Sequence, residues 1–144
     1  MLIGEYRHNL DDKKRVSVPA NFRKELGKRV IISRGFDKCL FVHPIAEWQR
    51  FTEELEKMPV GRIDSRDLSR FIFAGAAETD IDSLGRILIP DFLKNFAELK
   101  AKVVVVGVSR RLELWDETKW EDNTRRIEGQ ADVLAEKMGE LGMF

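Results

Sequence analysis

The residues of this 144-residue chain best suited to chemistry are two arginines, Arg15 and Arg86, each preceded by an aspartate four positions earlier. Both belong to one short unit written twice. Asn9-Leu10-Asp11-Asp12-Lys13-Lys14-Arg15-Val16-Ser17-Val18-Pro19 returns as Asp80-Ile81-Asp82-Ser83-Leu84-Gly85-Arg86-Ile87-Leu88-Ile89-Pro90, with Asp, Arg and Pro at one offset of 71 residues. A carboxylate set across a turn from a guanidinium accepts its N–H groups and fixes its direction. An arginine held at the mouth of a rigid hairpin suits bidentate contact with guanine O6 and N7 in a major groove. Lys13 and Lys14 beside it suit phosphates. Copy two carries Leu84 and Gly85 at those places, and Gly85 fits a tight turn that needs a positive φ. Lys14 stands where copy two has that glycine, so the first turn is expected to be either strained or of another type. Taken singly, each motif also reads as a turn salt bridge without a ligand. Two copies in one chain imply a pseudo-two-fold, which is the symmetry duplex DNA offers.

Other chemistries fit these residues less well. Asp80-x-Asp82-x-x-Gly85 with Asp91 imitates the start of a calcium loop. Leu84 fills a ligand position there, Asp91 replaces the bidentate Glu, and a β-pattern follows where the loop should continue. His8, His43 and Cys39 lack metal-ligand spacing. No Gly-rich phosphate loop, nucleophile elbow or paired acid–base spacing is present. No enzyme, catalytic residue, metal or cofactor is therefore expected, and no small-molecule substrate. The lone Cys39 excludes an intrachain disulfide, fits a reducing compartment and is expected to be a half-buried strand residue.

The elements that must position the two motifs are legible from periodicity. Val16 and Val18 alternate with Arg15 and Ser17, as Ile87 and Ile89 do with Arg86 and Leu88, which predicts two half-buried strands. Each stops at a proline suited to the first turn of a helix. Short helices follow, carried by Phe22 and Leu26 before Gly27 in copy one and by Phe92, Leu93 and Phe96 in copy two. Hairpins come next: residues 29–33 with 39–42 across a turn at Arg34-Gly35-Phe36-Asp37, and residues 103–108 with 112–115 across a turn near Ser109-Arg110. Trp48 and Trp120 continue the echo at offset 72, as if copy two had gained one residue. Helices are predicted over 45–58, closed by Pro59 and Gly61, over 65–73, and over 116–141 with Gly129 as its weak point. Trp48, Phe51, Leu55 and Met58 in the first of these, and Trp120, Ile127, Leu134 and Met138 in the last, are assigned to the core by their helical spacing.

Each half alone lies in the size range where a core is marginal, so the copies are expected to share one by close contact or by exchanging strands. The expected class is α+β with a mainly β core. The expected division is a first repeat at 5–47, a helical connector at 48–76, a second repeat at 77–120 and a C-terminal helix and tail at 121–144. Formal charge is zero, yet it is segregated. Residues 7–34 carry nine basic and three acidic side chains, whereas residues 112–144 carry nine acidic and four basic. A basic front with an acidic tail can still draw phosphate to one face. The N-terminus has no apolar leader, and the longest apolar run, Val103 to Val108, is too short for a membrane span. A soluble, intracellular protein is expected.

The opening Met1-Leu2-Ile3-Gly4-Glu5-Tyr6, the two Asp-x-x-x-Arg motifs ending in proline, and Ser33-Arg34-Gly35-Phe36-Asp37-Lys38-Cys39-Leu40 resemble the bacterial MraZ family. So do Ile72-Phe73-Ala74-Gly75-Ala76 and Leu112-Glu113-Leu114-Trp115-Asp116, in order and spacing, from residue 1 to about 140. The resemblance implies a tandem of AbrB-like swapped-hairpin β-barrel repeats with a pseudo-two-fold and helices after each repeat. It implies a homo-oligomeric ring of eight or more subunits. It further implies a cytoplasmic, nucleoid-associated transcription regulator, usually a repressor. Such a protein would bind short direct repeats in double-stranded DNA upstream of the division and cell-wall gene cluster. The DNA-reading face would comprise Asp11, Lys13, Lys14 and Arg15 with Asp82, Leu84, Gly85 and Arg86. The chain departs from the family pattern at Lys14, where Gly or Asn is usual. A protein-interaction module, antitoxin-like, whose acidic C-terminal helix clasps a partner protein, is the alternative.

Overall fold

The computed structural model describes residues 1–143. Copy one runs β1 (Leu2–Asn9), β2 (Arg15–Ser17), α1 (Ala20–Leu26), β3 (Arg29–Arg34), β4 (Leu40–Pro44), α2 (Ile45–Glu56) and α3 (Ile63–Phe73). Copy two answers with β5 (Ala76–Asp80), β6 (Arg86–Leu88), α4 (Asp91–Phe96), β7 (Lys102–Ser109), β8 (Arg111–Asp116) and α5 (Glu117–Glu140). Pro19, Pro44 and Pro90 each stand as N-cap of the helix that follows, with extended ψ before it. Their missing N–H costs nothing there.

The copies exchange strands. The six-stranded sheet runs β1-β7-β8-β4-β3-β5, every pair antiparallel. The first strand of copy one thus pairs with the hairpin of copy two, and β5 of copy two pairs with β3 of copy one. Burial follows the exchange. Val16, Val18, Phe22 and Leu26 lie in one hydrophobic cluster with Ile87, Ile89, Leu93 and Ala97, their counterparts at offset 71. Neither half closes this core alone. Each fully buried Val, Leu, Ile or Phe contributes roughly 1.5–3 kcal/mol. Gly107 sits opposite Gly4 in the β1–β7 register. A Cβ there would stand 2.5 Å from the Ile3 backbone nitrogen, so the close approach of β1 requires glycine.

Several expectations need correction. β1 and β5 end the sheet without pairing to each other, so no closed barrel of strands forms among the described residues. Of the three α4 residues expected to pack, Leu93 takes the place of Phe22 and Phe96 packs against the core, but Phe92 is exposed, and Ala97 takes the place of Leu26. The offset of the hairpins also differs. Leu10 N–H donates to Ala101 and Ile81 N–H to Lys28, so copy two gains two residues after α4, and its shorter β7–β8 turn gives one back. Cys39 is wholly rather than half buried and precedes β4, its thiol donating to the Phe36 carbonyl at 3.2 Å. Burial raises that thiol well above its ordinary pKa.

The largest correction concerns α5. Trp120 does pack, 5.4 Å from Trp115 between ring centres, and its indole N–H donates to Glu5 at 2.8 Å. From Arg125 to Lys137, however, every residue is exposed, Ile127 and Leu134 included, and Met138 is only half-buried. The helix passes through Gly129 unbroken. Ile127, Ala131, Leu134 and Met138 recur along it at the four-three spacing of a coiled-coil seam, with Leu141 one step on just past its end. In α2 the aromatic face is half-buried instead: Trp48 and Phe51 form one group with the buried His43 of β4, which stacks on Phe51 at 5.2 Å.

Candidate nucleic-acid interface

The two Asp-x-x-x-Arg motifs are brought together, back to back. β2 and β6 form a two-stranded antiparallel ribbon of their own, with Arg15 opposite Leu88, Val16 opposite Ile87 and Ser17 opposite Arg86. Val16 and Ile87 face the core. Strand alternation then puts Arg15, Ser17, Arg86 and Leu88 on the outward face. Arg15 and Arg86 are diagonal neighbours, about 7–8 Å apart. The ribbon is tied reciprocally at both ends, Val18 N–H to the Gly85 carbonyl and Ile89 N–H to the Lys14 carbonyl, each at 2.8 Å.

Each turn is built the same way. Asp11 Oδ1 accepts from the backbone N–H groups of Lys13 and Arg15, both at 2.9 Å, while Oδ2 accepts from Arg15 Nε at 2.8 Å. Asp82 repeats this with Leu84 N–H at 3.0 Å, Arg86 N–H at 2.9 Å and Arg86 Nε at 2.8 Å. The backbone N–H of the following arginine, more than any other contact, holds each carboxyl below the usual carboxylate range. With Nε fixed, the terminal nitrogens of both guanidiniums have no partner among the described residues. The arginine side chains are 27% and 28% exposed. Each is a fork with its stem clamped and its two tines free, the geometry that bidentate acceptors require.

The doubt about Lys14 resolves toward strain. Lys14 adopts φ 61° where Gly85 has 77°, and both turns close with the same bond, Lys14 N–H to Asp11 O at 3.0 Å and Gly85 N–H to Asp82 O at 2.9 Å. The two turns are of one type, and only copy two has the residue that adopts it freely. Gly85 also leaves room for a neighbouring side chain. A Cβ there would push aside the end of the Arg23 side chain, whose Nε donates to the Val18 carbonyl at 2.9 Å. Lys14 has room for its side chain, and its ammonium pairs with Asp91 of copy two. Lys13 and Leu84 stand exposed at the two turn tips.

Four neighbours of the motifs escape a reading of the chain alone: Ser17 and Leu88 on the outward face, Arg23 over Gly85, and Asp91 on Lys14. The first two share the alternation phase of Arg15 and Arg86, which is the signal that could have found them. Among the described residues no three His, Cys, Asp or Glu side chains are grouped to hold a metal. Among those residues, no helix is long and apolar enough to cross a membrane.

Comparison with known proteins agrees with this architecture. The family model described as "MraZ protein, putative antitoxin-like" matches twice, over residues 1–71 and 72–138. The chain is 46% identical over 138 residues, 96% of both sequences, to a "Transcriptional regulator MraZ" of Moorella thermoacetica. Proteins of the same name from Caldicellulosiruptor saccharolyticus and Clostridium tetani are each 43% identical, over 99% of this chain and all of theirs. Two matched repeats and near-complete relatives leave one assignment: this chain belongs to the MraZ family.

Proposed function

We propose that this protein is a transcription regulator that binds double-stranded DNA sequence-specifically through the β2–β6 ribbon. One observation carries the reading: two arginines, each clamped by its own aspartate in the same manner, emerge side by side from one rigid ribbon with their terminal nitrogens free. A two-stranded ribbon fits a major groove, and paired guanidiniums suit guanine O6 and N7. Lys13 supplies a phosphate contact, and Lys14 does so when it leaves Asp91. Asp11 and Asp82 orient the arginines, and Leu84 and Gly85 shape the second turn. The names of the relatives support the transcriptional role.

The zero net charge is compatible with this role if several chains act on one DNA, since linked weak modules gain through effective concentration. The exposed apolar stripe of α5 supports self-association, and the family resemblance extends it to a ring of eight or more subunits. We further propose the swapped-hairpin organisation with repeats at 5–47 and 77–120, a connector at 48–76 and a C-terminal segment from 121. On this reading the protein is a cytoplasmic, nucleoid-associated repressor that recognises direct repeats upstream of the division and cell-wall gene cluster. A gel-shift of the chain's own upstream region across a salt series tests it: retention that weakens with salt supports the reading, and no retention at moderate salt overturns it. The same α5 stripe also fits a second reading, an antitoxin-like module clasping a partner protein. Stoichiometric co-purification of such a partner, without a DNA shift, would favour that one.

A further inference from the structure

The outward face of the ribbon is less symmetric than its backbone. Directly opposite Arg15 stands Leu88, 52% exposed; directly opposite Arg86 stands its counterpart Ser17. An exposed leucine in the middle of a polar binding face has no role in this chain's core, which Ile87 and Ile89 fill from the positions on either side. Opposed side chains on such a ribbon lie about 5 Å apart at Cβ. Successive bases rise about 3.4 Å along a strand, so Leu88 reaches the base pair beside the one Arg15 would read. The apolar feature a major groove presents there is the thymine 5-methyl group. Ser17 is shorter and can only exchange a hydrogen bond, which either kind of base pair accepts. The turn tips are unequal as well, with Lys13 beyond the Leu88 end and Leu84 beyond the Ser17 end.

We infer that Leu88 is a specificity-determining residue that reads a thymine methyl next to the base held by Arg15, and that this contact sets which way round the ribbon lies on an oriented box such as one unit of a direct repeat. The inference rests on the DNA-binding reading above. Its pseudo-two-fold backbone places two equivalent arginines on the DNA, while Leu88 against Ser17 distinguishes the two ends. Because Leu88 is exposed, replacing it leaves the fold and the arginines in place.

The test is selection of binding sites from a random duplex pool by the wild-type protein and by Leu88→Ser, which copies the Ser17 end. The wild type should select an asymmetric box with a fixed thymine beside the Arg15 base. Leu88→Ser should lose that thymine while keeping the guanine preferences, giving a box closer to a palindrome. On the wild-type box, changing that thymine to uracil removes only the methyl group and should weaken wild-type binding about three- to fourfold, with no effect on Leu88→Ser. Equal binding of the uracil duplex by the wild type overturns the inference without using the variant. So does an unchanged thymine preference in Leu88→Ser. In both cases the retained guanine preference leaves the DNA-binding reading standing. A wild type that retains no preferred sequence overturns both.

Discussion

Val16 and Ile87 face each other across the β2–β6 ribbon, both buried, and the pseudo-two-fold of the chain passes between them. Every repeated feature follows from that one pairing. The arginines flank it diagonally, the aspartates sit behind them, and each strand end is bonded to the other copy's turn. The ribbon is built by both halves, so neither copy presents its arginine in this manner alone.

The equal geometry of the two turns makes Lys14 a strained residue. Lys14→Gly should relieve a left-handed cost of roughly 1–2 kcal/mol, offset by loss of the exposed pair with Asp91, worth about 0–1 kcal/mol. A net gain of about 1 kcal/mol in chemical denaturation is expected. Gly85→Ala should do the opposite, since it adds the same strain and displaces Arg23.

His43 sets a pH dependence. It is buried, its Nδ1 lacks a partner, and burial, then the Arg111 charge, depresses its pKa to about 4. Unfolded, it titrates near 6.5. Between these values the unfolded chain binds the extra proton, so stability is full above pH 6.5 and falls as pH drops toward 4, by at most about 1.4 kcal/mol per pH unit. Asp11 and Asp82 act in another window. Their lowered values keep their contribution complete above the ordinary aspartate range, to be lost only as pH falls through the depressed values. Urea denaturation from pH 4.5 to 7 should show the His43 slope, and His43→Phe should flatten it.

The seam on α5 predicts assembly through that helix. Leu134→Asp should lower the mass measured by light scattering, while leaving the monomer's circular dichroism unchanged, because Leu134 touches none of the buried core. An unchanged mass would place self-association elsewhere.

Much of this was legible in the chain because strand alternation and helix-starting prolines are local signals. The Asp–Arg clamps were legible for the same reason: four residues span one turn. What escaped was non-local. Periodicity marks which face of a strand is apolar but not its partner, so an exchange of strands could be expected, but not that β1 and β5 are the ones exchanged, nor that Leu88 meets Arg15. It likewise marks an apolar helix face without saying what covers it, so the spacing of Ile127 and Leu134 points to a core they do not enter. A large apolar residue at a helix start does not by itself point inward: Phe92 stays exposed while its neighbour Leu93 holds the offset that Phe22 defines.

The most direct measurement is the affinity of the wild type, Arg15→Ala and Arg86→Ala for one selected duplex across a salt series, with Lys13→Ala beside them. Each arginine variant should lose about 1–3 kcal/mol on the specific duplex and little on a scrambled one. Lys13→Ala should weaken both duplexes alike and flatten the salt slope by about one. If both arginine variants hold the selected duplex as tightly as the wild type, the Asp–Arg ribbon is a structural clamp and not a DNA-reading face.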